Sequence, residues 1–158
     1  MVATLLFNRL NRSFYLFYII LAAVLICDQL SKSVVRHYQP NINIIPKILS
    51  LTYTTNTGAS FGILQNMNTI LLLISIAVII GMFIHVYNHP DKKTLHFFAL
   101  ITAGALGNSI DRILYGAVTD FINFHFWPTF NIADSAITIG VIGLLIINWN
   151  SKNPTKTL

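Results

Sequence analysis

The sequence has no glutamate: its five acidic residues are all aspartates, Asp28, Asp91, Asp111, Asp120 and Asp134. Surface helices use glutamate freely, so these acids are not scattered solubilising charge. Charge of either sign is scarce, at 9% of residues, against roughly 25% in soluble domains. That scarcity excludes an ordinary water-soluble globule. A single cysteine excludes a disulfide scaffold, and eight glycines with five prolines exclude a collagen-like chain. A hydrophobic content of 54% excludes disorder. What is present is apolar, with a mean hydropathy of +0.66, and the class that remains is a small integral membrane protein. A net charge of +5 is a feature of nucleic-acid binders, but no basic run is longer than Lys92-Lys93. Phosphate tracking needs clustered cations, so no nucleic-acid partner is expected, and membrane topology accounts for the basic excess.

The length suits one membrane-embedded domain over residues 1–158. A spanning helix needs about 20 mostly apolar residues, and four stretches qualify: about 14–31, 69–87, 95–113 and 132–149. The first, preceded by Arg9 and Arg12, is longer than the apolar core of a secretory signal, and no small-residue cleavage site closes it. A lipoprotein-type site would need a small residue before Cys27, where Ile26 stands. It is read as a retained helix.

Arg9, Arg12, Lys92, Lys93, Lys152 and Lys156 fall on one side of the membrane if both termini are cytoplasmic; Lys32, Arg36, Lys47 and Arg112 fall on the other. In this orientation Asp28, Asp111, Asp120 and Asp134 gather at the outer face, and only Asp91 lies in a cytoplasmic loop. Acids in or near hydrocarbon are costly, face protein interior and often mark function.

Residues of about 40–64 are expected to form a small extracytoplasmic β-rich segment. Leu49, Leu51 and Tyr53 alternate there with Ser50, Thr52 and Thr54, and Asn56-Thr57-Gly58 is the expected turn. The second outer connection, 115–130, carries Phe121, Phe124, Phe126, Trp127 and Phe130, an aromatic density suited to the membrane interface. The expected fold is an all-α membrane protein of four transmembrane helices with that β-rich segment.

Gly104, Asn108 and Asp111 share one face of the third span, with Gly107 beside them, so an amide and an acid can point into the bundle. Asp28 and Lys32 are four residues apart and can pair as a helix-end salt bridge. Asp134 sits near the start of the fourth span, where an acid also serves as a cap. Two carboxylates held close do not both ionise easily, and such a pair can activate water while protonating a leaving amine. Other chemistries fare worse. Ser31 and Lys32 are adjacent and diverge on a helix, and Cys27 has no neighbouring histidine. His85 and His89 lack a glutamate between them, His125 is solitary, and no phosphate loop or dinucleotide fingerprint is present. From these residues alone, a protease and a small proton- or cation-coupled membrane carrier stay evenly open.

The ordered series DQLSK at 28–32, NTGASFGIL at 56–64, GALGNSIDR at 104–112, VTDF at 118–121 and FNIADS at 130–135 resembles bacterial lipoprotein signal peptidase, or signal peptidase II. The motifs cover most of the chain in family order. The resemblance implies a membrane aspartic endopeptidase that cuts prolipoproteins just before a diacylglyceryl-modified cysteine, near the outer face of the cytoplasmic (inner) membrane. Its partners would be those precursors and membrane lipid, and it would need no metal or organic cofactor. It makes Asp120 and Asp134 the catalytic pair. Asp111 becomes a supporting residue, and Asn56, Gly58, Asn108 and Arg112 position substrate or order the site. Asn131 would orient Asp134, and Asp28 with Lys32 would hold the site's helices together. Two departures from the pattern are Ala103-Gly104, where the family often has a glycine pair, and a dyad spacing of 14 residues, which shortens the outer loop. The strand-like segment and the aromatic loop would form a cradle and lid.

Overall fold

The computed structural model describes residues 2–58, 65–89, 91 and 93–152, with side chains described between 14 and 149. Residues 59–64 of the second motif, together with Lys92 and Lys156, lie outside the described residues, as do the side chains of Arg9, Arg12 and Lys152. Element order is α1 (Val2–Tyr38), β1 (Asn41–Ile45), β2 (Leu49–Asn56), α2 (Asn68–Asn88), α3 (Leu95–Tyr115), β3 (Val118–Phe124) and α4 (Ile132–Lys152). Each of the four helices contains a stretch long and apolar enough to cross a membrane.

The helices differ in how they use that apolar character. α2 has the highest mean hydropathy, 2.7, and is only 6% buried, whereas α3 has the lowest, 1.2, and is 56% buried. The inversion is physical. A helix facing lipid needs apolar side chains all round, while a helix packed among others can carry small and polar ones. α3 is the helix on which α1, α2 and α4 all pack. Its buried residues include Ala99, Ala103, Gly104, Ala105 and Gly107. The hydroxyls of Thr102 and Ser109 donate to the carbonyls of Phe98 and Ala105, at 2.7 Å each, and so need no outside partner. Two glycines mark obligatory close approach. A Cβ on Gly104 would collide with the Ala133 carbonyl oxygen, and one on Gly107 would stand 2.5 Å from Asp28 Oδ2. At one end of the bundle Phe17, Val86, Leu95 and Ala99 form an apolar cluster joining α1, α2 and α3.

The other end carries a three-stranded antiparallel sheet in the order β1-β2-β3. Three sequence expectations are corrected here. α1 continues beyond residue 31 to Tyr38, so Asp28 and Lys32 lie within the helix rather than at its end. The β1–β2 hairpin turns at 46–48, where Ile48 N–H donates to the Ile45 carbonyl and Lys47 has φ 63°, not at Asn56-Thr57-Gly58. That tripeptide instead leads out of β2, with Gly58 N–H donating to Asn56 Oδ1 at 2.9 Å. Finally, the aromatic connection contains β3. Val118 to Phe121 are all buried, so the alternation that marks a half-exposed strand is missing.

α3 stops at Gly116, whose φ of 71° suits glycine at a left-handed cap, and the chain turns at once into β3. β3 pairs with β2 so that Asn56 faces Val118 and Thr54 faces Asp120. A short return at Ile122–Phe130 then delivers the chain to Asn131 and α4.

Candidate active site

The ten residues singled out by sequence converge where the sheet meets the helices. Asp120 is on β3, Asn56 ends β2, and Gly58 follows it. Asn108, Asp111 and Arg112 are on α3, Asp28 and Lys32 on α1, and Asn131 and Asp134 at the start of α4. Asp28, Lys32, Asp111 and Asn131 have no exposed surface, and Asp120 is 2% exposed.

Asn131 organises the acids. Its Oδ1 accepts the Asp134 N–H at 2.9 Å, while its own N–H donates to Asp134 Oδ2 at 3.2 Å. This is a reciprocal capping box at the N-terminus of α4. Its Nδ2 donates to Asp120 Oδ1 at 2.6 Å. The remaining oxygens are also engaged: Asn56 Nδ2 donates to Asp120 Oδ2 at 3.0 Å, and Asn108 Nδ2 to Asp134 Oδ1 at 2.8 Å. Two carboxylates from different elements thus share one asparagine. Burial pushes the Asp120 carboxyl from 3.8 up to about 7, and the negative charge of Asp134 adds to the rise. The amides of Asn56 and Asn131 and the charge of Lys32 oppose it.

Behind this pair lies a buried ionic support. Lys32 Nζ stands 2.9 Å from Asp28 Oδ2 and 3.6 Å from Asp111 Oδ2, and donates to Asn108 Oδ1 at 2.9 Å. Asp28 Oδ1 accepts the Ala133 N–H at 2.9 Å, so α1 helps to cap α4. The Asp28–Lys32 pair expected at a helix end is instead fully buried and reaches two other helices. Asp111 accepts the Thr119 N–H at 2.9 Å and pairs with Arg36 at 3.2 Å. Three participants, Gln29, Arg36 and Thr119, were not singled out from sequence. Gln29 donates to Asp28, to the Gly107 carbonyl and to Asp111. Residues 28, 32 and 36 share a helical face, a signal that could have found Arg36. Thr119 contributes mostly through its backbone, which sequence does not mark.

Asp134 borders two cavities. One, of about 290 Å³, lies among α2, α3 and α4, with Ile74, Val78, Ile101 and Ile137 below and Asn56, Gly58, Asn108 and Arg112 at its polar end. The other, of about 380 Å³, lies between Trp127, Thr129 and Phe130 and the α4 residues Thr138 and Ile139. Arg112 donates to the Gly58 carbonyl at 3.2 Å, while its buried Nε has no hydrogen-bond partner among the described residues. Among those residues no cluster of three or more histidine, cysteine or acidic side chains is placed to hold a metal ion.

The protein-family model described as Signal peptidase (SPase) II matches residues 20–150. A lipoprotein signal peptidase of Moorella thermoacetica is 42% identical over 143 residues, covering 87% of this chain and 93% of that one. One from Pelotomaculum thermopropionicum is 35% identical over 146 residues, covering 88% and 96%. A solved structure described as a bacterial membrane enzyme superposes with a TM-score of 0.83 at 33% identity, covering 90% of this chain and 92% of that one. Matched over most of its length in both sequence and shape, this chain belongs to the signal peptidase II family.

Proposed function

We propose that this chain is a membrane aspartic endopeptidase. It removes the signal peptide from prolipoproteins, cutting just before the diacylglyceryl-modified cysteine. Family membership supports a protease of prolipoprotein signal peptides. The observation that carries the aspartic mechanism is the sharing of Asn131 by Asp120 and Asp134. One carboxylate accepts a proton from water as it attacks, and the other delivers a proton to the departing amine. The raised Asp120 carboxyl suits a pair that keeps one proton near neutral pH. Asn131 and Asn108 hold Asp134 in direction, and Arg112 brings a positive charge to the polar end of the cavity beside it. The apolar walls below Asp134 suit a substrate that arrives as an apolar helix in lipid.

In this reading both termini are cytoplasmic, and the dyad lies near the outer face of the bacterial inner membrane. The cut bond then lies close to the lipid surface, consistent with acids gathered beside the sheet. Purified enzyme should cleave a diacylglyceryl precursor and leave its unlipidated twin intact. Asp120→Asn and Asp134→Asn should each abolish cleavage in protein that still folds. Full activity in either variant would sink the dyad assignment, and equal cleavage of both precursors would sink the substrate claim.

A further inference from the structure

Arg36 belongs to none of the sequence motifs, yet it joins three elements. On α1 it follows Asp28 and Lys32 at four-residue spacing, which places all three on one face. Its Nη1 lies 3.2 Å from Asp111 Oδ1 and donates to Thr119 Oγ1 at 3.1 Å. Its guanidinium carbon stands 4.1 Å from the centroid of the Tyr115 ring. One cation therefore connects the last turns of α1 and α3 to the beginning of β3.

Thr119 is the residue this clamp fixes. Its N–H donates to Asp111 Oδ2 at 2.9 Å, and its carbonyl accepts from Asn131 Nδ2 at 3.3 Å. The hydroxyl is held by Arg36. The next residue along the strand is Asp120, whose Oδ1 accepts from the same Asn131 amide. The direction of the Asp120 carboxylate depends on where Thr119 is held, because a strand residue's side chain follows its backbone. We propose that Arg36 is a positioning residue for the reaction, setting Asp120 through Asp111 and Thr119. The proposal rests on the peptidase reading above. Arg36 borders neither cavity beside Asp134, so substrate binding is not expected to sense its loss. Both bonds come from Nη1, so a lysine ammonium can meet the charge of Asp111, but it has no planar guanidinium to lie on the Tyr115 ring while it does so.

Arg36→Met, Arg36→Lys and Thr119→Val are compared with the unmodified enzyme on a diacylglyceryl precursor. Arg36→Met should lower kcat about tenfold or more, with KM within about twofold, because the loss falls on orientation rather than binding. Arg36→Lys should recover only part of that loss. The double variant Arg36→Met with Thr119→Val should lose less than the product of the two separate losses, since both remove one contact. If Arg36→Met does not fold, Thr119→Val alone must show the kcat loss at unchanged KM. Wild-type kcat, a loss confined to KM, full recovery by lysine or a multiplicative double variant would each overturn the proposal. Amide exchange across 118–124 reads the clamp without any substrate. Arg36→Met should speed exchange there and leave α2 unchanged, and unaltered exchange in β3 overturns the clamp. Faster exchange alongside an unmodified protein that cleaves nothing would uphold the clamp and sink the peptidase reading instead.

Discussion

Asn131 and Asp134 cap each other. The backbone N–H of each donates to the side chain of the other, at 2.9 and 3.2 Å, so the start of α4 and the direction of one proposed catalytic acid are set by the same two bonds. A capping acid and a chemical acid need not be different residues. The cap fixes one carboxylate oxygen, Asn108 fixes the other, and the acid keeps its place on the border of both cavities.

Asn131→Ala should therefore damage activity out of proportion to stability. Losing the N-cap costs about 1 kcal/mol, and leaving the buried Asp120 and Thr119 acceptors without the Asn131 amide adds roughly 1–3 kcal/mol, a fall readable by thermal unfolding in detergent. Cleavage should fall by about a hundredfold or more, the scale seen when a catalytic group loses its orientation. A variant with most of its activity intact would show that Asn131 serves the helix alone.

The pH dependence follows from Asp120. Its carboxyl ionises at about 7 in the folded protein against 3.8 ordinarily, so the folded state holds a proton that the unfolded chain has released. The stability from that proton is fully present below pH 3.8 and is lost as pH rises to about 7. Asp120→Asn should flatten that part of the stability profile. If the reaction needs the proton, cleavage should decline above about pH 7; a rate still rising through pH 8 would contradict this.

Lys32→Met should be among the most destabilising single changes in the bundle. It leaves Asp28 without its ion pair in a fully buried place, and breaking such a pair costs about 3–5 kcal/mol. Pairing it with Asp28→Asn should restore part of the loss, because the uncompensated charge goes too. Thermal denaturation of the single and double variants decides this.

Gly104→Ala tests the closeness of α3 and α4. The added methyl would meet the Ala133 carbonyl, which is backbone, and Ile137, so a helix must move, at a cost of about 1–3 kcal/mol. Gly81→Ala, where a Cβ meets nothing within 4 Å, should leave the unfolding temperature unchanged or slightly raised. Equal behaviour of the two variants would show that the helices do not approach as closely as described.

The aspartates were legible because hydrocarbon makes acids expensive. Five in so apolar a chain had to be gathered, and four do gather beside the sheet, while among the described residues Asp91 donates and accepts around its own loop turn. The spans were legible for the same reason, as long apolar runs. β3 was not, because Val118 to Phe121 are buried on both faces and a strand so enclosed shows no alternation. Arg36 shares a helical face with Asp28 and Lys32, but nothing local to residue 36 says that Asp111 and Thr119 lie beside it.

Sequence alone determined that this chain has four helices apolar enough to span a membrane, that it carries a peptidase motif series, and that its acids are not surface charge. Those properties are set by composition and by residues near one another along the chain. Tertiary structure decided which acids meet. Asp120 and Asp134 come together because β2 pairs with β3, Gly104 and Gly107 admit the close approach of Ala133 and Asp28, and one asparagine is shared between strand and helix. Those contacts depend on register, helix approach and burial, which exist only once the bundle has packed.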